Sequence, residues 1–168
     1  MDLKNFQLAP FYALDEEWAL LTAGVKEKFN TMTISWGGLG TIWNKPVVTV
    51  YVKPIRYTYE FMESNEYFTI SFYDEKYKKD LGILGSKSGR NLDKIAITKL
   101  TPEFLENTTS FKEAKLTIVC KKIYFQDLDI NNIDTTSIPQ NEVDRFYKEE
   151  PMHRMYIGEV IDIIEGVF

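Results

Sequence analysis

The sequence TMTISW occupies residues 31–36 and alternates short hydroxyl side chains with large apolar ones. Strict alternation of this kind is typical of a β-strand whose two faces have different surroundings. A face exposed to solvent usually carries long charged side chains, whereas this one carries Thr31, Thr33 and Ser35. We therefore predict a strand here, with a hydroxyl face that lines a functional site.

The rest of the chain contains further strand patterns separated by short helical ones. Residues 18–23 favour the first arm of a hairpin into this strand, with a helix as the alternative. The other predicted strands cover residues 47–52, 67–73, 116–125 and 155–164. Short helices are predicted at residues 56–64, 76–84 and 142–148, and another near Asn91. Many strands with short interspersed helices favour a mainly β fold, a barrel with peripheral helices, over a doubly wound sheet.

Composition restricts the class of protein. The chain has 168 residues, 27% of them charged, which suits a single globular domain over residues 1–168. A net charge of -5 argues against an extended nucleic-acid surface. One cysteine and one histidine exclude an intramolecular disulfide and a zinc site built from Cys and His. Without a signal pattern or a long apolar run, we expect a cytoplasmic protein that does not insert in membranes.

A possible anion site follows the strand at residues 47–52. Lys53 and Arg56 flank the start of a predicted helix, whose free N–H groups favour anions. Thr58 and Tyr59 add hydroxyl donors, so the segment is suited to one phosphate group. The alternative is a pair of solvated charges. The polar loop at residues 86–90 is a second, weaker candidate for a phosphate contact.

The glycine-rich stretch GGLG at residues 37–40 follows a strand, as a dinucleotide-binding loop would. Such a loop opens a helix, but here Pro46 and a β-branched strand follow, so we predict a flexible connection between strands. Trp36 and Trp43 flank this stretch, and they either stack on a flat ligand or pack in the protein.

Hydrolytic chemistry has little support in the sequence. His153 lies just before the last predicted strand, where a single histidine usually has a structural hydrogen-bonding role. Cys120 alternates in phase with apolar residues, which predicts a buried core side chain. No Ser or Cys has a nearby base in the sequence.

Five segments together resemble a known family. Residues 30–36, 45–54, 56–59, 88–94 and 153–160, in this order, are similar to the FMN-binding split-barrel flavin reductases. The flavoredoxin-like subgroup is the most similar, and the resemblance runs from about Trp18 to the C-terminus. It implies a Greek-key split β-barrel that forms a homodimer, with FMN bound near the subunit interface.

The resemblance also implies the residues that contact FMN. They are Asn30, Thr31, Met32, Thr33, Ser35, Trp36, Val52, Lys53, Arg56, Thr58, Tyr59, Ser88 and Arg90. The resemblance favours the anion site at Lys53 and Arg56 over the alternative of solvated charges.

The implied activity is that of an FMN-dependent oxidoreductase. Hydride would pass from NADH or NADPH to FMN, and electrons would leave to a flavin, a metal or a protein acceptor. Two alternatives remain open: an electron carrier of the flavoredoxin type without a nicotinamide site, and a flavin-binding module without catalytic activity.

Overall fold

A computed structural model of the protein describes residues 3–166. The first part of the chain forms two hairpins after a short helical segment. Its helical turns are Leu3–Asn5, α1 (Pro10–Tyr12) and Ala13–Glu17. Its strands are β1 (Ala19–Val25), β2 (Lys28–Ile34), β3 (Gly37–Ile42) and β4 (Lys45–Val52). Between β3 and β4, Trp43 and Asn44 have φ angles of 51° and 58°, the left-handed conformation that favours a tight hairpin turn.

The second part alternates helices with strands. Its helices are α2 (Tyr57–Ser64), α3 (Lys78–Ser86) and α4 (Gln140–Tyr147). Its strands are β5 (Tyr67–Phe72), β6 (Pro102–Phe104), β7 (Thr109–Phe111), β8 (Leu116–Asp127) and β9 (Arg154–Glu165). Short helical turns lie at Glu75–Tyr77 and Ile130–Asn132.

Seven strands form one antiparallel sheet in the order β2-β1-β5-β8-β9-β4-β3. Met32 from β2 and Val50 from β4, near opposite ends of this order, belong to one buried apolar cluster. The sheet therefore curves around a common core, which is the split-barrel architecture with short peripheral helices that the sequence predicts. Gly158 of β9 allows close packing there, since a Cβ at this position would lie 2.5 Å from the ring of Phe68.

Two local predictions are wrong. Residues 37–40 are not a flexible connection, because they begin β3 and pair with β4 along the edge of the sheet. Gly37 is required there, since a Cβ would lie 2.8 Å from the carbonyl oxygen of Thr49. Residues 87–99 contain turns and no helix; the ammonium of Lys94 instead ties this segment to α3 through the carbonyl of Leu84.

The hydroxyl face of β2 lies on the outside of the curved sheet, where α3 packs against it and the β6–β7 hairpin contacts Phe29 through Phe104 and Phe111. Thr31 is fully buried, and its Oγ1 lies 2.8 Å from Oγ1 of Thr22 on β1. The hydroxyl of Thr33 donates to the carbonyl of Leu81 in α3 at 2.5 Å. The side chains on this face are short because other elements pack against it, so the pattern does not mark a site along its whole length.

None of the helices in residues 3–166 is long and apolar enough to cross a membrane.

Candidate functional site

Two adjoining cavities form a groove along β2. One has a volume of about 270 Å³ and the other about 160 Å³, and both are lined by Met32, Ile55 and Arg56. The smaller cavity lies beside the C-terminal end of α3, and we call it the α3 end. The larger cavity lies beside the C-terminal end of α4, and we call it the α4 end.

Three cationic residues, Arg56, Lys87 and Lys94, line the α3 end, and the side-chain hydrogen bonds of Arg56 and Lys94 are defined. Nη2 of Arg56 donates to the carbonyl of Gly85 at 2.7 Å. Lys94 is only 4% exposed, and its Nζ donates to the carbonyls of Leu84 at 2.7 Å and Lys87 at 3.1 Å. An ammonium group has three donors, so one N–H of Lys94 remains for a ligand in the cavity.

The charges at the α3 end lack a neutralising acid. Burial, with a smaller contribution from the positive charge of Arg56, lowers the pKa of Lys94 to about 8. Among the described residues that line this end, none carries a carboxylate. The cavity is therefore suited to an anionic group, which would offset the cost of burying the ammonium.

Small polar groups complete the α3 end. Asn30 donates from Nδ2 to the hydroxyl of Thr58 at 2.8 Å, and both side chains are buried. Ser88 lines the cavity, and its Oγ accepts a hydrogen bond from the backbone N–H of Arg90. A Cβ at Gly89 would collide with the amide oxygen of Asn30, so only glycine fits this position without a shift of its neighbours.

The α4 end is different, because its cation is already paired. Nζ of Lys53 forms an ion pair with Glu150 and donates to the carbonyl of Phe146 at 2.6 Å. The hydrogen bond from Lys53 and its positive charge lower the pKa of Glu150, with a smaller contribution from the charge of Arg56. Trp36 packs edge-to-face on Phe146, with ring centroids 5.0 Å apart, so aromatic rings form part of this wall.

His153 lies at the far side of the α4 end. Its Nδ1 is 2.8 Å from the hydroxyl of Tyr147, and its ring centroid is 5.2 Å from that of Trp36. Burial, together with the positive charge of Lys53, lowers the pKa of His153 to about 4. The imidazole is therefore neutral at neutral pH.

Most of the side chains expected from the sequence line this groove. They are Asn30, Met32, Thr33, Ser35, Trp36, Lys53, Arg56, Thr58 and Ser88. The expected pairing of Lys53 with Arg56 at one anion site is not formed, because Lys53 lies at the α4 end and is bound by Glu150.

Four expected residues line neither end of the groove. Thr31 and Val52 are fully buried within the sheet. Tyr59 packs on Tyr156 instead, because adjacent residues of α2 point in different directions and Thr58 is the one that faces the groove. The side chain of Arg90 turns outward, where it pairs with Glu60 at 2.5 Å.

Sequence reasoning missed several residues of the groove, among them Lys94, Phe146 and Glu150. Lys94 belongs to the segment 88–94 that resembles the family. The helix predicted there did not indicate that the Lys94 side chain would line the α3 end. Phe146 and Glu150 come from α4 and the residues after it, far from β2 in the sequence. No local pattern indicates that this segment closes the groove.

Residues 12–166 match a protein family described as "Flavin reductase like domain". The chain belongs to the flavin reductase-like family. This membership connects the protein with flavin redox chemistry. No curated protein matches the chain in sequence.

Solved structures share the fold at low sequence identity. Flavoredoxin from Methanosarcina acetivorans has a TM-score of 0.67 and 23% identity, over 89% of this chain and 68% of that chain. Flavoredoxin of Desulfovibrio vulgaris (Miyazaki F) has a TM-score of 0.66 and 22% identity, over 88% and 68%. An FMN-binding protein from Thermus thermophilus, with bound 1-cyclohex-2-enone, has a TM-score of 0.67 and 19% identity, over 88% and 69%.

Proposed function

We propose that the groove binds FMN, with the phosphate at the α3 end and the isoalloxazine ring at the α4 end. The observation that carries this proposal is the presence of Arg56 and Lys94 at the α3 end without a neutralising carboxylate. The α4 end has aromatic side chains in its wall, which suit a ring system. Membership in the flavin reductase-like family supports the same ligand.

The residues of the groove fit FMN through their donors. Arg56 and Lys94 would bind the phosphate through charge-assisted hydrogen bonds, with the Ser88 hydroxyl as a further donor. Trp36 and Phe146 would exclude water beside the ring. The ion pair of Lys53 with Glu150 would hold the end of α4 in place. FMN, when bound, supplies the hydride and electron chemistry.

The reaction we propose is the transfer of hydride from NADH or NADPH to FMN, followed by electron transfer to a flavin, metal or protein acceptor. Hydride transfer to a flavin requires orientation and exclusion of side reactions rather than an acid–base pair. This agrees with a groove in which His153 is neutral and Lys53 is already paired.

A second candidate is an electron carrier that another protein reduces. The structural similarity to two proteins named flavoredoxin supports this second candidate. The aromatic side chains of Trp36 and Phe146 at the α4 end also favour it, because they would compete with a nicotinamide for the position beside the flavin ring.

One experiment tests both candidates. The purified protein, saturated with FMN, is mixed with NADH or NADPH without oxygen while the flavin absorbance is recorded. Bleaching of the flavin by NADH or NADPH, followed by repeated turnover when excess acceptor is added, supports the reductase. FMN binding without bleaching supports the carrier, and failure to bind FMN at micromolar concentration contradicts both.

We further propose that the protein is a homodimer with FMN near the subunit interface, and that it is cytoplasmic. Large exposed aromatic side chains outside the groove, among them Trp43 and Phe125, support a second copy. Light scattering tests the assembly, and a mass of 19.6 kDa with FMN bound would contradict it.

A further inference from the structure

A second, larger cavity adjoins the α4 end of the groove. It has a volume of about 600 Å³, and we call it the side cavity. The two spaces share Ser35, Trp36, Tyr51 and His153, so a molecule in the side cavity would lie next to one at the α4 end.

The lining of the side cavity is mostly apolar. Phe11, Leu14 and Leu128 form part of its walls, together with the ring of Tyr147. Its lining includes one carboxylate, that of Asp15, and among the described residues no lysine or arginine. A phosphate-bearing ligand such as a nicotinamide dinucleotide would find no opposite charge here, so the lining favours an uncharged ligand.

One hydrogen-bonding pair lines the side cavity, and its His153 also lines the α4 end. The hydroxyl of Tyr147 lies 2.8 Å from Nδ1 of His153, and both side chains line the side cavity. When this hydroxyl donates to Nδ1, the ring proton is on Nε2, and none of the hydrogen bonds formed within residues 3–166 uses Nε2. A neutral N–H donor beside a large apolar wall is suited to a carbonyl oxygen.

We propose that the side cavity binds a flat, uncharged carbonyl compound of the quinone class, which is the electron acceptor, and that His153 donates a hydrogen bond to its carbonyl oxygen. This proposal rests on the proposed binding of FMN in the groove. It names the acceptor class that the proposed function leaves open.

The overall reaction balances with the reductant named above. The nicotinamide loses one hydride and is oxidised, and that hydride reaches the quinone by way of FMN. The quinone also takes one proton from solvent, so its two C=O groups become the two C–OH groups of a hydroquinone. His153 holds the carbonyl in place and keeps its own proton.

The test uses the oxidised, FMN-loaded protein, in which no electron transfer to a quinone occurs. Calorimetric titration with menadione, an uncharged naphthoquinone, is expected to show binding. A naphthoquinone sulfonate of the same ring size is expected to bind at least about ten-fold more weakly because of its charge.

Two variants locate the binding. Replacement of Asp15 by lysine (D15K) is expected to strengthen binding of the sulfonate by about 5- to 10-fold and leave menadione nearly unchanged. The matched control is D74K, the same charge change at a partly exposed residue that lines neither the groove nor the side cavity. His153→Phe is expected to weaken menadione by about 3- to 10-fold, as loss of a neutral hydrogen bond does. His153→Phe should weaken the binding of methylnaphthalene less, because methylnaphthalene has the same rings but no carbonyl groups.

The outcomes separate this proposal from the proposed function. FMN binding without menadione binding overturns the acceptor site and leaves the function standing, whereas loss of FMN binding in the wild type overturns both. If menadione fails to bind and Phe11→Glu converts a dimer to a monomer, the side cavity is covered by a second copy of the chain and the proposal is wrong. Equal effects of D15K and D74K would also contradict it.

Discussion

The two ends of the groove carry similar side chains but differ in what those side chains already bind. At the α3 end, Arg56 and the buried Lys94 donate to backbone carbonyls, and neither forms an ion pair within the described residues. At the α4 end, the charge of Lys53 is cancelled by Glu150. A cationic residue near a candidate site therefore indicates an anion-binding position only when no acidic side chain already pairs with it. This comparison is the reason why we propose that the phosphate of FMN binds at the α3 end.

The largest effect is expected from Arg56→Ala. A hydrogen bond to a charged partner contributes about 1.5–3 kcal/mol, so FMN affinity should fall by about 10- to 150-fold. Riboflavin lacks only the phosphate, so its affinity should change far less. Parallel titrations with the two ligands measure the difference. Equal losses would mean that Arg56 acts by holding the carbonyl of Gly85 and thus the end of α3.

Lys94 should make FMN binding depend on pH. The pKa of this lysine is lowered from 10.5 to about 8, and a bound phosphate favours the protonated form. FMN affinity should therefore be highest below pH 8 and fall as the pH rises above it, by up to about ten-fold. Arg56→Ala should keep this dependence, and Lys94→Met should remove it. A wild-type affinity that is flat from pH 7 to about 9 would contradict the assignment.

The pH dependence of the free energy of unfolding gives an independent check on the lowered pKa of Lys94. Below pH 8 the lysine is charged in both the folded and unfolded states, so the cost of burying the charge is fully present. Between pH 8 and 10.5 the unfolded state binds a proton that the folded state does not, so the free energy of unfolding should rise with pH. Lys94→Met should lose this rise, which denaturation at several pH values measures.

The sequence alone was sufficient for the architecture and for most of the groove, and the reasons are local. The hairpin into β2 and the buried strand at Val47–Val52 follow from alternation and β-branching, which depend on neighbours along the chain. Thr33 and Ser35 line the groove as expected, but Thr31 is buried, and its burial cannot be seen in the alternation itself. The partners of Lys53 were missed for the same reason, since Glu150 is separated from it by 97 residues.

A smaller and equal effect on both ligands is expected from Lys53→Met. Because Lys53 holds Glu150 and the end of α4, its loss should loosen the wall beside the ring, which FMN and riboflavin share. Both affinities should fall by no more than about five-fold, and their ratio should stay constant. Glu150→Gln is the matched variant that breaks the same ion pair. A selective loss of FMN binding in Lys53→Met would move the phosphate to the α4 end.

The smallest effect is expected from Arg90→Ala. Arg90 is close to the α3 end in sequence, but its guanidinium lies 4.7 Å from the ring centroid of Tyr57 and pairs with Glu60 at the surface. Exposed ion pairs contribute about 0–1 kcal/mol, so FMN affinity and thermal stability should change little, by less than about three-fold in affinity. Glu60→Gln sharpens the test because it releases Arg90 without removing it. The alternative is that Arg90 turns from Glu60 to the phosphate when FMN binds. Glu60→Gln should then raise the affinity for FMN but not the affinity for riboflavin. Arg90→Ala should lower the affinity for FMN by ten-fold or more. The structure predicts neither change, because Arg56 and Lys94 already supply the cationic donors of the α3 end.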